Sequence, residues 1–112
     1  MNAPDPAAAL AADEAQTYER LAGLRREFGQ IVDSADTATD DEHDPEGTTA
    51  YDRARTATLI EAAERHLTEI AAARARLDAG TYGACEVCGK PIPPERLVAR
   101  PTARTCVGCP PR

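Results

Sequence analysis

The chain contains four cysteines in two pairs, Cys85-x-x-Cys88 and Cys106-x-x-Cys109, separated by the 17 residues 89–105. A two-residue spacer lets one tight turn deliver two thiolates to the same point, and two such turns complete a tetrahedron around a soft divalent ion. The C-x2-C-x17-C-x2-C pattern falls within the spacing of four-cysteine zinc sites. Gly89 behind the first pair and Gly108 within the second supply the small residues such turns favour, where backbone amides approach sulfur. With every position filled by a protein ligand, the expected ion is structural: one Zn2+ held by Cys85, Cys88, Cys106 and Cys109. Ligand type alone also admits an iron–sulfur cluster. A dithiol redox site would need a βαβ setting and would leave the second pair unexplained, and haem attachment would need histidine where Gly89 and Pro110 stand. Neither histidine is expected to join the set: His43 lies far away in a polar stretch, and His66 reads as a solvated helix residue.

A second group with chemical potential is the run Asp40-Asp41-Glu42-His43-Asp44. Its plain reading is a solvated loop in which Asp44 caps a following helix. The sharper reading is a probe whose carboxylates meet a basic surface or a divalent cation. An EF-hand is excluded because Pro45 occupies the place of the obligatory glycine counted from Asp40.

Two amphipathic segments must position these groups. Asp5-Pro6 pairs a capping residue with a proline at the first helical position, and Tyr18, Leu21, Leu24, Phe28 and Ile31 then recur at 3-4 spacing. This predicts a helix over roughly 6–33. Residues 33–47 hold seven acidic side chains and no basic one, and end in Pro45 and Gly47, which predicts a connecting loop over about 34–47. A second helix is expected from Asp44-Pro45, or from a capping box at Thr49-x-x-Asp52, to about Asp78, with Gly80 as the left-handed residue beyond its end. Its seam reads Ile60, Ala63, Leu67, Ile70, Arg74 and Leu77, with Arg74 snorkelling. Two such helices predict an antiparallel hairpin about 45 Å long. Pro91, Pro93, Pro94 and Pro101 make the span between the cysteine pairs too proline-rich to be helical throughout. The fold class is therefore mainly α: an antiparallel two-helix coiled-coil hairpin (1–79) followed by a small four-cysteine zinc finger (80–112).

Charge and composition restrict the function. Residues 1–79 carry 8 arginines against 17 acidic side chains, a balance of −9, whereas residues 80–112 carry +3. An acidic body argues against a general duplex-DNA binder, so no sequence-specific DNA binding is expected. With no Trp, one Phe and three Tyr, the chain has few bulky apolar groups, and a metal staple is the expected remedy. The N-terminal residues show no basic region or apolar stretch of a signal peptide, and nothing approaches a membrane span, so a cytoplasmic protein with reduced thiols is expected. No nucleophile–base pair is apparent, which points away from an enzyme.

The segments Gly80-Thr81-Tyr82-Gly83-x-Cys85-x-x-Cys88-Gly89, Arg96-Leu97-x-Ala99-Arg100-Pro101-Thr102-Ala103 and Cys106-x-x-Cys109 resemble the DksA/TraR family of bacterial transcription regulators, and the acidic-tipped hairpin resembles that family's coiled coil. The resemblance covers roughly residues 6–109. It implies a protein that binds bacterial RNA polymerase rather than promoter DNA, enters the secondary channel, and places tip carboxylates near the catalytic centre, often together with the alarmone ppGpp. The family's Asp-x-x-Asp-x-Ala tip matches Asp41 and Asp44 in acidic spacing, with Asp40 and Glu42 as neighbours, although no alanine stands two positions after Asp44; Asp52-Arg53-Ala54 is also similar to that region. Well-known members continue past the last cysteine into a helix that helps build the alarmone site, whereas three residues follow Cys109 here. Two other readings are a nucleic-acid-binding finger using Arg96, Arg100 and Arg104, and a structural adaptor whose helical seam recruits a partner helix.

Overall fold

The computed structural model describes residues 5–37 and 48–109. Three helices account for most of them: α1 (Pro6–Thr37), α2 (Thr48–Ala79) and the short α3 (Pro94–Ala99). Pro6 stands at the first position of α1, and the Asp5 carbonyl accepts the first helical bond from the Ala9 N–H at 2.9 Å. Alpha1 runs four residues further than the spacing predicted, and α2 is described from Thr48, with the Asp44-Pro45 signal outside the described residues. Asp40, Asp41, Glu42 and Asp44 lie outside the described residues.

The C-terminal end of α2 closes in a Schellman motif. The Gly80 N–H donates to the Leu77 carbonyl (3.2 Å) and the Thr81 N–H to the Arg76 carbonyl (2.8 Å). The motif requires a left-handed residue at position 80, and Gly80 supplies φ of 79° without a Cβ penalty.

The chain divides into two compact units, Met1–Ala15 with Leu67–Arg112, and Gln16–His66. In the first, Leu10 of α1 packs with Ile70 and Ala73 of α2 in a fully enclosed cluster, flanked by Leu67, Leu77 and Tyr82. Glu14 of α1 pairs with Arg74 of α2 at 3.0 Å. In the second unit, Leu21, Ala63, Thr17 and Thr56 are buried, and Arg25 pairs with Glu64 at 2.8 Å. Each unit thus pairs a part of α1 with a part of α2. The described residues form no strand beyond an isolated bridge, Ala84–Pro91, and none of their helices is long and apolar enough to cross a membrane.

The seam differs from the apolar spacing in two places. Tyr18 is 56% exposed, and its neighbour Thr17 turns inward instead; Ala73 is fully buried in place of Arg74, which sits at the edge on Glu14. A tyrosine carries a polar tip and a threonine a methyl group, so either tolerates either side, and register is decided by the larger Leu10, Leu21 and Ile70. Thr56 is 1% exposed and its hydroxyl has no hydrogen-bond partner.

Two stability changes follow from this packing. Ile70→Ala should destabilise the fold by about 3 kcal/mol, through lost burial and an unfilled cavity. Thr56→Val should stabilise it by about 1 kcal/mol, because an unpaired buried hydroxyl is removed at nearly constant shape. Urea denaturation of the two variants measures both signs.

Candidate metal centre

The first cysteine pair is built on a narrow loop. The Cys85 N–H donates to the Lys90 carbonyl (2.9 Å), the Ile92 N–H to the Gly83 carbonyl (2.7 Å), and the Gly89 N–H to the Cys85 carbonyl (2.9 Å). Gly83 has φ of 87°, and a Cβ there would meet Leu97 Cδ1 at 3.5 Å, so the loop packs close beneath α3. Pro94 starts that helix at its N-terminus, which is how a proline-rich connection acquires one helical turn and a half. The second pair turns through the Cys109 N–H donating to the Cys106 carbonyl (3.3 Å). Gly108 shows no left-handed backbone and no neighbour near a hypothetical Cβ, so the conformational need expected of it is absent.

The two turns bring the four sulfurs within 4.8 Å of one another. Cys88 Sγ lies 3.7 Å from Cys106 Sγ, and Cys106 Sγ lies 3.6 Å from Cys109 Sγ. A tetrahedron with Zn–S bonds of about 2.3 Å has edges of about 3.8 Å, so the donor set fits one zinc ion. His66 is not among these ligands; it borders a cleft with Thr17, Arg20, Leu59, Ala62 and Ala63 in the second unit.

The thiols are not equivalent before metal binds. Backbone amides pull Cys85 down to about 6, that of Cys88 most strongly, followed by those of Cys106 and Val87, against the opposing effect of burial. The Val87 N–H lies 3.4 Å from Cys85 Sγ. Cys109 is pushed up to about 12, chiefly by its hydrogen bond with the Cys106 thiol and then by desolvation. Cys85 therefore offers a ready thiolate at neutral pH, while the metal must displace a proton from Cys109.

The sequence motifs around the cysteines serve the frame. Tyr82 Oη donates to the Pro101 carbonyl at 2.7 Å, and burial raises the pKa of that phenol, an effect partly offset by Arg76. Arg76 Nη2 lies 3.4 Å from the Thr102 carbonyl, Arg96 Nε donates to the Thr105 carbonyl at 2.8 Å, and Thr102, Ala103 and Thr105 are buried. Arg104, which the sequence offered only as a possible nucleic-acid contact, instead donates its Nε to Glu69 Oε1 on α2 at 2.7 Å while Nη1 lies 3.4 Å from Glu86 Oε2. A partner 35 residues away, on an element with its own period, leaves no pattern to find.

This arrangement is that of a C4-type zinc finger set on a helical pair. Residues 80–109 match the family model of the prokaryotic dksA/traR C4-type zinc finger. Through this finger the chain is similar to the DksA/TraR family. It is 33% identical over 89 residues to the RNA polymerase-binding transcription factor DksA of Haemophilus influenzae, covering 80% of this chain and 55% of that protein. General stress protein 16O of Bacillus subtilis is 36% identical, over 75% of this chain and 49% of its own length. The chain thus spans from 29% to 55% of the length of the curated relatives it matches. The structure of transcription factor DksA2 from Pseudomonas aeruginosa superposes with a TM-score of 0.54 at 26% identity, covering 93% of this chain and 84% of that one.

Elemental analysis should find one zinc per chain, lost in Cys106→Ser. Because protons compete for the thiolates, zinc affinity measured by chelator competition should be at least about tenfold weaker near pH 6 than near pH 8.

Proposed function

We propose that this protein is a non-enzymatic regulator of bacterial transcription that binds RNA polymerase through its secondary channel and modulates initiation. In this reading the hairpin of residues 1–79 is the reaching element and the finger of residues 80–112 braces its base. Asp40, Asp41, Glu42 and Asp44 are presented near the catalytic centre, where they act by electrostatics or by positioning metal and water.

The observation that carries this reading is the extent of the similarity. The Haemophilus protein named as an RNA polymerase-binding transcription factor matches 80% of the chain, well beyond the finger at 80–109. The bonding of the finger arginines supports a protein partner over nucleic acid. Arg96 and Arg104 each commit their Nε donor within the protein, to Thr105 and Glu69, which lowers what they can offer to phosphates.

The test is an Asp41→Ala, Asp44→Ala double variant, assayed by polymerase pull-down and by transcription in vitro with and without ppGpp. Pull-down should stay within about two-fold of wild type, since these substitutions leave the helical seam intact, and a competitor for the secondary channel should displace both proteins. The effect on transcription should be lost. A double variant that regulates as wild type does would remove the tip from the mechanism, and failure of the wild type to capture polymerase would remove the whole reading.

A further inference from the structure

The finger motif begins at residue 80, but the bonding around the metal site does not. Glu86 lies inside the first cysteine pair and Arg104 lies two residues before the second. The Glu86 N–H donates to the Arg104 carbonyl at 2.9 Å, which holds the two turns together through the backbone. Their side chains are also joined, with Arg104 Nη1 3.4 Å from Glu86 Oε2. Both are tied to α2: Arg104 Nε reaches Glu69 Oε1 at 2.7 Å, and Arg76 Nη1 lies 3.9 Å from Glu86 Oε2. Arg76 also reaches the second half of the finger, at the Thr102 carbonyl.

We infer that Glu69 and Arg76 are positioning residues of the metal centre, setting its zinc affinity from α2 although they lie outside the finger motif and are not ligands. Zinc binds tightly only if both cysteine turns are held at the separation a tetrahedron needs, because any freedom between them must be lost on binding. The Glu86–Arg104 connection fixes that separation. Glu69 fixes Arg104 in turn, engaging the Nε edge of its guanidinium while Nη1 faces Glu86. Arg76 fixes Glu86 from the other side. Groups that orient a metal site from beyond its ligands commonly change affinity by tenfold or more when removed.

The coupling is reciprocal by linkage. Whatever α2 contributes to zinc binding, zinc contributes to the order of α2. The four residues belong to the same compact unit as Leu10, Ile70, Ala73 and Tyr82, so the order that zinc confers extends to the helix ends at 6–15 and 67–79.

The test uses the full chain. Glu69→Gln keeps the size of a partly exposed side chain and removes its charge. Competition with a chromophoric chelator should show zinc affinity weakened about fivefold or more, within the range of coupling between linked sites. Glu95→Gln removes an equal charge from α3 and should stay within about two-fold of wild type, as surface changes usually do. In the wild type, chelation should speed amide hydrogen exchange at 67–79 as well as in the finger. Three results would each overturn the inference: unchanged zinc affinity in Glu69→Gln, an equal loss in Glu95→Gln, or exchange at 67–79 indifferent to chelation.

Discussion

Four sulfurs converging on one point give the C-terminal segment most of the order it has. Between residues 80 and 109 the buried side chains are Cys85, Ile92, Thr102, Ala103 and Thr105, and only Ile92 is a large aliphatic. At about 25 cal/mol per Å2 of apolar surface, such a set cannot offset the conformational entropy of thirty ordered residues. Metal ligation supplies the missing free energy, since the binding free energy of a structural zinc ion is largely folding free energy. The remaining bonds of the finger, from Tyr82 to Pro101 and from Arg96 to Thr105, give direction to a segment whose cohesion comes from the metal.

The same constraint explains why Arg96 and Arg104 of the finger are turned to internal use. A segment poor in apolar groups has to satisfy its carbonyls and fix its loops with long polar side chains, and guanidinium, with several donors on a rigid plane, does this well. Single ion pairs as exposed as Arg104–Glu69 are worth under about 1 kcal/mol. Their value lies in geometry, because they set where the two cysteine turns stand with respect to each other and to α2.

What could be read from the sequence follows from how local each constraint is. The cysteine spacing was legible because the coordination geometry imposes it within four residues. Pro6, Gly80 and the 3-4 recurrence were legible because helix ends and faces are set within one or two turns. The inward turn of Thr17 instead of Tyr18 was not, since two amphipathic neighbours at a seam are separated only by packing against the facing helix. Glu69 and Arg104 were not legible either, because their meeting depends on how the finger folds back on α2. Helix α3 was hidden by the prolines that in fact begin it.

The first compact unit is discontinuous in the chain, with α1 residues up to Ala15 completed by residues from Leu67 onward. This has a consequence for synthesis. Leu10 leaves the ribosome 60 residues ahead of Ile70, the side chain it packs against, and further still ahead of Cys109. Until then the first turns of α1 have no apolar surface to rest on, and a lone helix is marginal in water. This unit therefore closes only after residues 67–109 have followed α1 out of the ribosome. A chain interrupted before that point would leave its N-terminal helix without a partner, open to the proteases that clear incomplete products.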